Sequence, residues 1–190
     1  MRLLLASKSP RRRQLLAELG YPVEIISVDV DEHVPQSLPA AEVAEHLARR
    51  KAAAFPLNTI AGDEVLVTAD TTVVLDHAVL GKPADREEAA RMLHSLSGRT
   101  HIVYTGVCLH TAHKGVSFTE ATTVHFAALT DAEISYYIDN YRPYDKAGAY
   151  GIQEWIGMVG VSRIEGCYYN VMGLPLARLY RELKALAIAQ

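Results

Sequence analysis

A carboxylate in the middle of an apolar run is the residue of this sequence with the most chemistry to explain. Asp70 sits inside Val65-Leu66-Val67-Thr68-Ala69-Asp70-Thr71-Thr72-Val73-Val74-Leu75, a mostly β-branched pattern that predicts a buried central strand. A charged carboxylate there is costly unless it is paired, hydrogen-bonded or bound to a metal. The alternative is a side chain at a kink, bonded to Thr71 or Thr72 and reaching solvent. Asp29, Asp31 and Glu32 follow an earlier strand pattern and either converge on the same cleft as Asp70 or form a solvated acidic turn. Two hard oxygen groups from separate strand ends suit Mg²⁺, which takes one or two carboxylates and fills its shell with water and substrate phosphates. No HExxH, paired cysteines or His-x-His cluster points to zinc.

The second chemical feature is the N-terminus, where Leu3-Leu4-Leu5-Ala6 runs through Ser7-Lys8-Ser9-Pro10 into Arg11-Arg12-Arg13. Ser9 is a good N-cap and Pro10 fits the first helical position, where its missing N–H costs nothing. Three arginines then sit at the positive end of the helix macrodipole, which disfavours each cation by roughly 0.3–1 kcal/mol. An anion would compensate, and free backbone N–H groups, serine hydroxyls and guanidinium forks together suit a phosphate. The competing reading is a solvated basic turn, since residues at steps of about 100° cannot all face one ligand.

Two loops add further donors. Gly81-Lys82-Pro83 places a lysine in a tight turn soon after the Asp70 strand, either reaching a phosphate as a point charge or exposed as an ordinary turn lysine. Residues 141–154 have no clean period and read as a functional loop. In it Asp145 and Lys146 stand close to Gly148 and Gly151, which can bring backbone near a ligand, and the Gln153 amide can read a base edge. Walker-type GxxxxGK[ST], GxGxxG and GxSxG patterns are absent from the sequence.

The elements that must position these groups alternate in type. Strand patterns cover residues 3–6, 23–28 and 65–75, and helical spacing covers residues 40–54 with Lys51 near the end. Asp85 with Glu88, and Thr130 with Glu133, form capping-box patterns that open helices to about Leu96 and Asn140. Strand patterns at about 101–109 and 116–126 predict a hairpin, two short strands are expected around Gly166, and Leu176, Leu179, Leu183 and Leu186 share one face of a closing helix. The result is a mixed α/β chain with some antiparallel pairing.

Composition bounds the function. The 190 residues carry 49% apolar content and a formal charge of −3, which fits one compact domain over 1–190 and argues against nucleic-acid binding. Cys108 and Cys167 lie far apart and read as buried thiols of a reducing cytosol. No apolar run reaches a membrane span, so a cytoplasmic location is expected.

Taken together, these segments resemble the Maf family of nucleoside triphosphate pyrophosphatases almost end to end. The resemblance is carried by Leu5-Ala6-Ser7-Lys8-Ser9-Pro10-Arg11-Arg12, Asp31-Glu32, Lys51, Ala69-Asp70-Thr71, Gly81-Lys82-Pro83, Asp145-Lys146-Ala147-Gly148-Ala149-Tyr150-Gly151-Ile152-Gln153 and Asn170-Val171-Met172-Gly173-Leu174-Pro175. It implies an α/β fold with an elongated mixed β-sheet flanked by helices, inosine triphosphatase-like, a homodimer, and a divalent cation, Mg²⁺ first and Mn²⁺ second. By residue match Asp70 would accept the proton and hold metal with Glu32, which would assist the metal or the water. Ser7, Ser9, Arg11, Lys51 and Lys82 would line the triphosphate path. Arg12, Thr71 and Gln153 match the branch that hydrolyses dTTP and UTP, and Asp145 and Lys146 count among the substrate-binding set. Two departures stand out: His46 where arginine is common, and Glu154-Trp155 where smaller residues follow Gln153. A role historically attached to this family, nucleotide-binding regulator of cell division and septum formation, is the rival reading.

Overall fold

The computed structural model describes residues 1–31 and 33–188. They form two compact units, one of Met1–Asp70, Thr105–Glu120 and the chain from Gly173 onward, the other of Thr71–Tyr104 and Ala121–Met172.

The first unit begins with strand β1 (Arg2–Ala6), helix α1 (Pro10–Ala17), strand β2 (Val23–Ile26), helix α2 (Ala40–Ala53) and strand β3 (Glu64–Leu75). Both β2 and β3 pair with β1 in parallel, with Leu5 opposite Ile25 and Val67 and Ala6 opposite Thr68. All three strands therefore point their C-terminal ends the same way, the end at which ligands bind in open parallel sheets. Strand β2 stops at Ile26, two residues short of the predicted end. Leu4, Ala6, Ala48, Ala52, Ile60, Leu66 and Cys108 form a core cluster of this unit. Helix α7 (Leu176–Ile188) buries Leu179 and Leu183 completely, as their spacing predicts, while Leu176 is half-buried.

The second unit takes the remainder of β3, then strand β4 (Ala78–Leu80), helix α3 (Arg86–Leu96), parts of strands β5 (Thr100–His110) and β6 (Gly115–Phe126), helix α4 (Asp131–Tyr141), helix α5 (Trp155–Gly160), strand β7 (Val161–Glu165) and helix α6 (Tyr168–Met172). The strands lie in the order β2-β1-β3-β5-β6-β7, with β4 on β3, a mixed seven-stranded sheet among the described residues. Both predicted caps are present. Asp85 accepts from Glu88 N–H, and Thr130 and Glu133 satisfy each other's backbone donors in a complete capping box. The Glu88 carboxylate closes on Ala84 N–H, one residue before the cap.

Three elements differ from the sequence reading. Strand β4 is added by a tight antiparallel hairpin in which Leu75 faces Ala78. Its two turn residues, Asp76 and His77, have φ of 47° and 71°, a turn in which Asp is common at the first position but glycine is usual at the second, where His77 stands. Around Gly166 one strand, β7, precedes a short helix, α6, whose Asn170 is fully buried and donates to Val103 O and Thr122 Oγ1. Residues 141–154 contain two 3-10 turns, Pro143–Asp145 and Ala147–Ala149, and lead into α5, where a Cβ on Gly157 would sit 1.8 Å from Ile152 O. That contact needs glycine, so the helix start was hidden behind residues of low helix propensity. Cys108 is buried and Cys167 half-buried, both free. No helix among the described residues is long and apolar enough to cross a membrane.

Candidate active site

The parallel strands fix where the N-terminal serines begin. Because Ala6 is opposite Thr68, the turn that starts at Ser7 leaves the sheet beside the part of β3 that carries Asp70. Ser9 caps α1 by accepting from Arg12 N–H at 3.4 Å, and Ser7 Oγ accepts from Ser9 N–H at 3.2 Å. A hydroxyl that accepts a backbone bond still has its own proton to donate, so both serines are set to give hydrogen bonds to an anion. Arg12 Nε donates to Gly173 O at 2.8 Å, with Nη1 3.5 Å from Ser7 Oγ. Arg11 is half-buried and Arg13 exposed, and no acidic residue occupies the first turn. The three cations thus divide, as the turn of about 100° per residue requires.

Asp70 is held from above by helix α2. Thr68 Oγ1 donates to Ala48 O at 2.7 Å, which fixes the register between helix and strand. One turn further along α2 and two residues further along β3, the next side chains on those faces are Lys51 and Asp70. Lys51 Nζ donates to Asp70 Oδ1 at 2.5 Å, with the side chains 14% and 17% exposed. The costly buried carboxylate is therefore paired, and its Oδ2 has no hydrogen-bond partner among the described residues. In the acidic segment after β2, Asp31 is exposed, accepts from His33 N–H and lies 3.5 Å from Arg50. Glu32, expected to assist metal or water, lies outside the described residues.

The second unit carries Lys82, Asp145, Lys146 and Gln153. Gly148 N–H donates to Gly81 O at 3.0 Å, tying the 145–151 segment to the turn that carries the exposed Lys82. Gly148 has φ 68°, and a Cβ there would lie 3.0 Å from Val73 Cγ1, so both conformation and space require glycine. Lys146 is buried and bridges two carboxylates, Asp145 at 2.7 Å and Glu154 at 3.1 Å. The Tyr137 hydroxyl donates to Glu154 Oε2 and accepts from Gly151 N–H at 2.9 Å. Burial first, and then the Glu154 carboxylate, push the Tyr137 hydroxyl well above its usual range, so it stays a donor. Gln153 Oε1 is buried with no hydrogen-bond partner, and Thr71 follows Asp70 on the opposite face of β3, half-buried. Sequence reasoning missed the Tyr137–Glu154–Lys146 network. Its one signal was the departure at Glu154.

The model of the family described as Maf-like protein matches residues 2–186. A protein of Parabacteroides distasonis named dTTP/UTP pyrophosphatase is 54% identical over 185 residues, covering 96% of this chain and 95% of its own. Proteins of the same name from Bacteroides thetaiotaomicron and Phocaeicola vulgatus are each 52% identical, covering 97% of this chain and 95% and 96% of theirs. Among solved structures, the Staphylococcus aureus Ham1 protein is similar over 67% of this chain and 72% of its own, at 13% identity and a TM-score of 0.48. That likeness is too loose to carry the fold, which stands on the sheet itself.

Proposed function

The chain belongs to the Maf family, and on that premise we propose that it is a nucleoside triphosphate pyrophosphatase that hydrolyses dTTP and UTP to the monophosphate and pyrophosphate. The observation that carries the reading is the Asp70 carboxylate, oriented on one oxygen by Lys51 and, among the described residues, without a hydrogen-bond partner on the other. In this role Asp70 Oδ2 takes a proton from water as the water oxygen bonds to the α-phosphorus, and the bridging oxygen to the β-phosphorus leaves with pyrophosphate. The Ser7 and Ser9 hydroxyls donate to phosphate oxygens, and Arg11, Lys51 and Lys82 supply positive charge along the triphosphate. Arg12, Thr71 and Gln153 set the preference for thymine and uracil, with Asp145 and Lys146 also contacting substrate.

A divalent cation fits this set. One hard carboxylate oxygen without a partner is what Mg²⁺ or Mn²⁺ needs from protein when phosphates and water complete its shell. Among the described residues no three His, Cys, Asp or Glu side chains cluster as an all-protein cage. In the alternative role for Asp70 Oδ2, it would hold the ion with Glu32 in place of taking the proton, and the ion when bound supplies charge neutralisation on the phosphates and a more acidic water. The chain works in this reading as a cytoplasmic homodimer of one domain each.

The test is incubation with Mg²⁺ and each of dTTP, UTP, CTP, GTP, ATP and 7-methyl-GTP, resolving all products. Formation of dTMP and UMP with pyrophosphate is expected. Turnover of 7-methyl-GTP alone would overturn Arg12, Thr71 and Gln153 as the base-reading set, and tight binding without turnover would favour the regulator.

A further inference from the structure

The Lys146 ammonium is buried against two carboxylates of its own chain. Its side chain is 8% exposed and lies between two carboxylates, Asp145 Oδ1 at 2.7 Å and Glu154 Oε1 at 3.1 Å. An ammonium has three N–H donors. One is given to Asp145, and with Glu154 as a second ion-pair partner the ammonium charge is compensated inside the chain, which weakens its attraction for a phosphate oxygen.

Glu154 is itself locked. Its other oxygen accepts from the Tyr137 hydroxyl, whose side chain is fully buried and which also receives Gly151 N–H at 2.9 Å. A Cβ on Gly151 would lie 2.9 Å from the Glu154 carboxyl carbon and 3.0 Å from Lys146 Cε. The segment is packed around this pair with no room for a side chain. A single carboxylate therefore fixes a buried lysine, a buried tyrosine and the backbone two residues before Gln153. Gln153 itself carries a buried side-chain oxygen with no hydrogen-bond partner, an acceptor position that calls for a donor from outside the chain.

We propose that Glu154 is a positioning residue for the nucleoside: it charge-compensates Lys146 and aims a remaining N–H at a neutral acceptor, a base carbonyl or sugar hydroxyl oxygen, and not at phosphate. Thymine and uracil offer carbonyl acceptors beside an N–H donor, which matches an ammonium donor together with an amide oxygen. The proposal rests on the reading above that this segment contacts a nucleotide, and it assigns which part of the nucleotide is contacted.

Two probes separate the parts of the ligand. Non-hydrolysable α,β-imido-dTTP carries base, sugar and phosphates, whereas inorganic tripolyphosphate carries phosphates alone, and calorimetry reads the affinity of each. Glu154→Gln keeps the size of the side chain but removes its charge. It is expected to weaken α,β-imido-dTTP by about tenfold, the scale of a lost charge-assisted hydrogen bond, with tripolyphosphate changed by less than about twofold. Tyr137→Phe, which frees Glu154 without removing it, is expected to shift the same probe in the same direction by a smaller factor, and it tests the idea should the first variant fold poorly. Tighter tripolyphosphate binding by Glu154→Gln would show that Lys146 is a screened phosphate cation, and equal losses for both probes would show a merely structural role. Either result overturns the proposal while leaving the pyrophosphatase reading intact. A wild-type chain that binds neither probe overturns that reading, and this proposal with it.

Discussion

Lys51 on α2 and Asp70 on β3 form an ion pair of 2.5 Å, set in register by the Thr68 hydroxyl bound to Ala48 O. The relationship explains how a carboxylate can stand in a strand where Leu66, Val67 and Ala69 are almost fully buried. Its charge is compensated from the helix, not by another strand residue, and one oxygen is left for chemistry.

Asp70→Asn keeps the shape and the hydrogen-bonding capacity of the side chain but cannot accept a proton as a carboxylate does. Turnover should fall by about 10²–10⁴, the usual scale for a lost general base, with the fold retained but less stable, because the mostly buried Lys51 ammonium loses this carboxylate. Lys51→Met leaves the carboxylate uncompensated in the same place, so it should lower both stability and turnover. Steady-state kinetics and denaturant unfolding of the two variants check this, and near-normal turnover in a folded Asp70→Asn protein would contradict it.

Gly106 on β5 is the point where the sheet lets α2 approach. A Cβ there would lie 2.2 Å from Glu45 N and 2.3 Å from the Ala44 carbonyl carbon. Both are helix backbone, which cannot move aside without taking α2 along. Gly106→Ala should therefore cost on the order of 3 kcal/mol by overpacking and also reduce turnover, because Lys51 travels with the helix. Loss of stability with unchanged kcat would show that the Lys51–Asp70 pair tolerates the shift.

His101 gives the fold an acid limit. It is 2% exposed, with Nε2 2.7 Å from the Tyr150 hydroxyl and Nδ1 unpartnered. Burial first, and His125 second, lower its pKa to about 4 from an ordinary 6.5. Between these values the unfolded chain binds the proton and the folded chain does not, so stability is complete above pH 6.5 and is lost as pH falls toward 4. The loss should be on the order of 3 kcal/mol. Unfolding measured at pH 7 and pH 5 should show that slope, and His101→Gln should flatten it.

What the sequence made legible was local chemistry. Ser9, Asp85 and Thr130 each cap the helix that they announce, because a cap is decided within four residues. The apolar run around Asp70 reads as a strand for the same kind of reason. Strand β4 was hidden because Asp76 and His77 turn the chain without glycine, and α5 because Gly157 and Gly160, with Trp155, Ile156 and Val159, give Trp155–Gly160 a low helical propensity. Among the site residues, Asp70, Lys51 and Lys146 stand out by type, but their partners do not. Pairing Lys51 with Asp70 takes the α2–β3 register, and pairing Lys146 with Glu154 takes a turn closed by Tyr137. Both are set by packing between elements, which periodicity along one element does not encode.

In the mechanism proposed for Asp70, water attacks the α-phosphorus. Hydrolysis of dTTP in H₂¹⁸O with Mg²⁺, followed by mass spectrometry of both products, locates the bond that the water oxygen forms. One ¹⁸O is expected in dTMP and none in pyrophosphate. Label in pyrophosphate with unlabelled dTMP would place the attack on the β-phosphorus and contradict that mechanism, as would release of dTDP and labelled orthophosphate.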